Sequence, residues 1–227
     1  MSYIKLSLFL IAFFILKPLL AQNNFTGYIE PQIAVNHKFS SIYGTNFSVG
    51  SRTYFYKEKG IELQTRQLDF AHFSELKVSS NQSIALGIQY RFRAPFETEK
   101  ENELRITEQY NHTFKPSAIR YGLRTRIEQR IAPSLTTHRF RFRCAADMPL
   151  KGEKLDIGEP YFILSTESLL SIAKTKKPSY DQRFSSQVGY KLSTFTKLQI
   201  GLEYRIEDYN KALAHVLFIN SAFVITL

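Results

Sequence analysis

The residues of this chain that could do covalent chemistry are few. His72 and Ser74 stand two apart, a spacing that puts an imidazole and a hydroxyl on one face of an extended strand. A base beside a hydroxyl is the start of a nucleophilic pair, but it needs a third group to orient the base. The sequence does not identify one, so both are expected to be ordinary wall residues, with a lipid hydrolase as the alternative reading. The five histidines, His37, His72, His112, His138 and His215, form no His-x-x-x-His or Glu-x-x-His pair. Cys144 is the single cysteine, which excludes an intramolecular disulfide and a Cys-rich metal site. There is no glycine-rich phosphate loop. No catalytic residue, metal or cofactor is expected.

The stronger chemical signal is electrostatic. The chain holds 14 arginines and 16 lysines, and the two are sorted. The arginines fall within or at the ends of alternating segments, on the polar parity, whereas most lysines fall in turns, loops or the N-terminal segment. A solvated surface has no reason to separate them. A guanidinium that stays charged and pairs bidentately with carboxylates suits a crowded polar interior. The expected inward charge network is Arg52, Glu62, Arg66, Arg91, Arg93, Glu103, Arg105, Arg124, Arg126, Glu128, Arg130, Arg139, Arg141, Arg143, Glu167, Arg183, Glu203 and Arg205. Six glutamates on that parity, Glu207 included, face 14 arginines, so the interior should be strongly positive.

The elements that must position these groups read as strands from end to end. Ile84, Leu86, Ile88, Tyr90 and Phe92 oppose Gln89, Arg91 and Arg93. Tyr121, Leu123, Thr125 and Ile127 oppose Arg124, Arg126, Glu128 and Arg130. Phe140 and Phe142 oppose Arg139, Arg141 and Arg143. Ile200, Leu202, Tyr204 and Ile206 oppose Glu203 and Arg205. Leu217, Ile219, Phe223, Ile225 and Leu227 share one parity. About twelve strands are expected, with ten as the alternative. Residues 61–79 are read as two strands, which puts the turns at 57–60, 79–81, 114–117 and 193–197 on one side; the long 150–159 connection does not fit this scheme.

With 44% hydrophobic residues the chain is not disordered. A mean hydropathy of −0.22 excludes a helical membrane bundle. Met1–Ala21 has the form of a secretory signal peptide, with Lys5, an apolar run from Leu6 to Ile15 and a small residue at Ala21. Residues 22–227 then form one domain. An exported chain of alternating strands, polar on one face and apolar on the other, is expected to be an all-β antiparallel transmembrane barrel. With no Trp, the interfacial girdles fall to residues such as Tyr28, Tyr54, Phe55, Tyr56, Tyr90, Tyr110, Tyr121, Tyr190 and Tyr204.

Several of these motifs resemble a Bacteroidota outer-membrane β-barrel family, domain of unknown function 2490. They are Ala21-Gln22, Glu62-x-x-x-Arg66, Arg124-x-Arg126-x-Glu128-x-Arg130, Arg139-x-Arg141-x-Arg143, Met148-Pro149-Leu150, Glu167, Arg183-x-x-x-x-x-Gly189 and Gly201-x-Glu203-Tyr204. The resemblance spans nearly the whole mature chain. It implies a bacterial outer-membrane location and a barrel fold, and no mechanism. The partners expected of such a barrel are the lipid bilayer and lipopolysaccharide, the barrel assembly machinery during insertion, and small anionic solutes. Nucleic acid is not among them, because the arginines alternate inward and the chain is exported. The expected function is a narrow porin-like channel for small anions. A closed structural barrel cross-linked by Arg–Glu pairs and a barrel-borne lipid-modifying hydrolase are the alternatives.

Overall fold

A computed structural model describes residues 24–227. The signal peptide expected at 1–21 lies outside the described residues. Eleven strands follow in chain order: β1 Phe25–Lys38, β2 Tyr43–Lys57, β3 Gly60–Lys77, β4 Gln82–Phe92, β5 Glu103–Phe114, β6 Arg120–Ile131, β7 Thr136–Pro149, β8 Pro160–Ala173, β9 Lys176–Lys191, β10 Thr196–Glu207 and β11 Ala214–Thr226. They close into one barrel in sequence order. Each hairpin is antiparallel. An odd number of such strands can close only through a parallel seam, and β1 pairs β11 in parallel from Phe25↔His215 to Asn36↔Thr226.

The strand count of eleven corrects the expected twelve and the alternative ten. Residues 61–79, read as two strands, form the single 18-residue β3 and its exit. The reason is a bulge. Arg52 pairs with Gln67 and Thr53 with Thr65, so Arg66 is the extra residue and the inward parity changes there. Ile61 and Leu63 are exposed before the bulge, and Asp69, Ala71 and Phe73 line the interior after it. The turn at 58–59 therefore lies at the opposite end from 78–81.

The connections 39–42, 78–81, 115–119, 150–159 and 192–195 share one end with Leu227, here the C-terminal end. Those at 58–59, 93–102, 132–135, 174–175 and 208–213 share the other with Asn24, the N-terminal end. Each end holds one ten-residue connection, 150–159 and 93–102, so long loops are not confined to one side.

Period-two alternation gives the wall two unlike faces. Leu86 is 65% and Ile200 56% exposed on the outside, whereas Arg91 and Arg205 are 7% exposed inside. This inverts the arrangement of a soluble barrel, whose apolar face is the packed one. Two tyrosines expected in the girdles, Tyr28 and Tyr54, point inward instead. With Val216 and Phe218 they form a buried cluster toward the N-terminal end, Phe218 stacking on Tyr28 at 5.0 Å between centroids. Phe55 is the extra residue where Gly27 pairs with Tyr56 and Tyr28 with Tyr54, and this second bulge turns Tyr54 inward. On the inner wall Gly201 has no room for a Cβ, which would collide with the Ser186 carbonyl oxygen, and two more glycines sit under aromatic rings. The Phe73 ring lies over Gly87 and the Tyr161 ring over Gly189, and a Cβ at either glycine would collide with the ring.

Candidate functional site: the charged interior

Thirteen arginines turn into the barrel: residues 52, 66, 91, 93, 105, 124, 126, 130, 139, 141, 143, 183 and 205. All but Arg124 line a cavity of about 640 Å³, and Arg124 lines an adjoining void together with the more exposed Arg120, which pairs with Asp147. Register explains the crowding. On β6 and β7, Arg124 stands opposite Arg143, Arg126 opposite Arg141, and Glu128 opposite Arg139. Like charges directly across a ladder repel, so carboxylates from neighbouring strands must separate them.

The strongest knot is built on β6 to β9. Arg141 donates to Glu128 at 2.5 Å and to Glu167 at 2.6 Å. Glu167 also accepts from Arg124 at 3.0 Å and lies 3.6 Å from Arg183. One carboxylate thus serves three guanidiniums. Arg139 donates to Ser171 at 2.8 Å, with Asp181 at 3.9 Å. A second knot spans β3 to β6. Asp69 takes a two-pronged bond from Arg91, both at 2.7 Å, while Glu103 holds Arg105 and Arg130. Asp69 also accepts from Gln67, so both its oxygens are engaged.

Near the N-terminal end the charges mix with the aromatic cluster. Arg52 pairs with Glu30 at 2.6 Å and sits 4.7 Å from the Phe218 ring centre. Arg205 pairs with Glu203 and lies over the same ring at 3.7 Å. Cation–π contact of this kind stabilises a desolvated guanidinium. The 93–102 loop adds a clamp: Glu97 accepts from Tyr54 at 2.7 Å and from Arg66 and Arg93 at 3.3 Å each, while Arg66 also donates to the Tyr28 hydroxyl. Burial pushes the Glu97 carboxyl up, but the Tyr54 hydroxyl and the two arginines more than offset it and hold it below the usual carboxylate range.

Among the described residues only two interior arginines have no carboxylate within 4.0 Å. Arg126 donates its Nε to the Gln109 side-chain oxygen at 2.5 Å and lies 5.1 Å from the Phe73 ring centre. Arg143 has no ion pair, and its buried Nε has no acceptor.

The expected network therefore gathers in the interior, with one exception. Glu62 sits at the N-terminal rim, half-exposed and 4.0 Å from Lys57. Four carboxylates absent from the expected set hold interior arginines: Glu30, Asp69, Glu97 and Asp181. Asp69 was legible in principle, since Gln67-x-Asp69-x-Ala71 alternates once the bulge is allowed. Glu97 in its loop carried no such signal. With Glu75, Glu103, Glu128, Glu167, Glu203 and Glu207 the interior acids number ten against 13 arginines, a net of +3. This is far less than 14 against six.

His72 and Ser74 lie on the outer wall. His72 Nε2 is 3.1 Å from Ser74 Oγ, which also accepts from the Tyr43 hydroxyl at 3.3 Å. The Phe47 ring packs on the imidazole at 4.3 Å. His72 Nδ1 meets no acceptor among the described residues, so the pair lacks an orienting group there. No cluster of His, Cys, Asp or Glu among the described residues could hold a metal ion.

No curated protein matches this chain. A family model described as "Protein of unknown function (DUF2490)" matches residues 31–214, from within β1 to the start of β11, and the chain belongs to that family.

Proposed function

We propose that this chain is a bacterial outer-membrane β-barrel, exported by the Met1–Ala21 signal peptide, that admits small anionic solutes to an arginine-rich lumen. The exposed Leu, Ile, Phe and Val of the wall support the membrane location, because strands are satisfied in lipid only when the sheet is closed. The observation that carries the transport reading is the uncompensated interior charge, above all Arg126 and Arg143. A lumen lined with excess fixed cations favours anions. The partners are the bilayer and lipopolysaccharide outside, the assembly machinery during insertion, and the anion inside. Reversing Arg126 and Arg141 to Glu in planar bilayers tests it. Reversal potential under a salt gradient should move toward cations, and an open channel with unchanged selectivity would sink the reading. Boiling should shift the protein's mobility on SDS gels; a soluble product with no shift would remove the membrane itself.

One observation favours a second reading, a closed structural barrel. The Tyr28–Tyr54–Phe218 cluster and the Glu97 clamp fill the N-terminal part of the interior. Wild-type protein with no conductance, together with a lower unfolding temperature in the double reversal, would select that reading.

A further inference from the structure

The geometry points to a binding site for a phosphate-type dianion at the neck between the interior cavity and a vestibule at the C-terminal end. It rests on the lumen reading above and gives that lumen a specific ligand. The vestibule is a second void of about 600 Å³, lined by amides such as Asn111, Gln187 and Gln199 and by the charged Lys77, Arg120, Arg124 and Asp147. Only Arg143 and Glu75 border both voids, so they mark the passage between them. Arg143 is also one of the two interior arginines with no carboxylate partner among the described residues. The other, Arg126, lies two residues along β6 from Arg124, which stands opposite Arg143. Two guanidiniums without a carboxylate thus lie on adjoining strands, Arg126 holding Gln109 through its Nε alone. Each presents parallel N–H donors suited to an oxyanion, where a single ammonium could not.

The local charge also suits a dianion. Arg124, Arg126, Arg141, Arg143 and Arg183 share this region with Glu75, Glu128 and Glu167, and the vestibule adds Lys77, Arg120 and Asp147: seven positive groups against four negative, a net of +3. Inorganic phosphate or a phosphate monoester carries about −1.5 to −2 at neutral pH. Chloride carries a single charge on one atom and has no paired oxygens to match a guanidinium fork. A hydroxyl-rich remainder of a phosphate ester would meet the amides of the vestibule. Glu75 makes no ion pair among the described residues and faces the passage from β3, so it confines an anion to the β6–β7 side.

The test uses the full barrel refolded in detergent and inorganic phosphate as probe, against chloride at equal ionic strength. Phosphate should raise, saturably, the temperature at which the barrel loses its fast-migrating gel form. Arg143→Gln and Arg126→Gln should each weaken the apparent affinity tenfold or more. Lys57→Gln, at the opposite rim, should not change it. Glu75→Gln should tighten binding. Neither arginine variant strands a carboxylate, so both should fold. No phosphate-specific shift in the wild type, or an equal shift in both arginine variants, overturns the site. Conductance separates this from the channel reading. Anion-selective current without saturable phosphate binding removes the site and leaves the channel. Saturable binding without current keeps the site and removes the channel.

Discussion

Replacing Glu167 by Gln tests whether the interior is held by shared carboxylates. Glu167 is buried, and its charge faces Arg141 at 2.6 Å, Arg124 at 3.0 Å and Arg183 at 3.6 Å. Arg141 keeps Glu128 at 2.5 Å, whereas Arg124 and Arg183 lose the only carboxylate within 4.0 Å among the described residues. At about 4 Å between charge centres and an effective dielectric near 20, one pair attracts by about 4 kcal/mol before desolvation. Deleting one partner of a buried pair costs about 3–5 kcal/mol, because the other charge is stranded. Gln keeps one accepting oxygen, so a loss of about 3 kcal/mol is expected. Arg143→Gln is the contrasting change. It strands no acid and relieves the repulsion with Arg124 across the ladder, so it should be neutral or stabilise by about 0.2–1 kcal/mol. Urea unfolding in lipid vesicles, followed by circular dichroism because the chain has no Trp, reads both. The double variant Glu167→Gln/Arg124→Gln should recover part of the loss, since one stranded guanidinium is gone. A Glu167→Gln cost below about 1 kcal/mol, or one equal to that of Arg143→Gln, would refute the stranded-charge argument for this interior.

Three further outcomes follow from the wall, the loop and the inner packing. Arg in place of Leu202 or Phe223 on the outer wall should cost about 2–4 kcal/mol in a bilayer, and much less at the inward Gln89; equal costs would show the faces are misassigned. Glu97, held below its unfolded value, stabilises fully above the unfolded pKa of about 4.3 and loses that contribution as pH falls through the lower folded value. The stability gap between wild type and Glu97→Gln should therefore close on acidification, and a gap constant from neutral pH to pH 3 would reject the clamp. Gly87→Val should cost about 1–3 kcal/mol despite the better strand propensity of Val, because the side chain would displace the Phe73 ring that Arg126 rests on. A neutral or stabilising result at Gly87 would mean that the ring moves freely.

Alternation made most of the wall legible. Runs such as Arg139-x-Arg141-x-Arg143 between Phe140 and Phe142 state both the strand and its inward face. But parity carries one choice of face per strand, and a bulge reverses it partway. Past the bulge at Arg66 the inward set becomes Asp69, Ala71 and Phe73, out of phase with Glu62 and Arg66, and one strand read as two. Reading Tyr28 as a girdle residue put Glu30, two positions on, outside with it, although Glu30 is the partner of Arg52. Each such error hid an acid and left its arginine apparently unpaired. The carboxylates restored by the structure bring the interior from strongly positive to nearly balanced. That balance changes which arginines matter. A uniform excess would make the lumen a diffuse anion attractor, whereas a network paired almost throughout leaves Arg126 and Arg143 as the interior arginines without a carboxylate among the described residues. Their isolation depends on which strand ends beside which in the closed barrel, and no single strand's pattern encodes it.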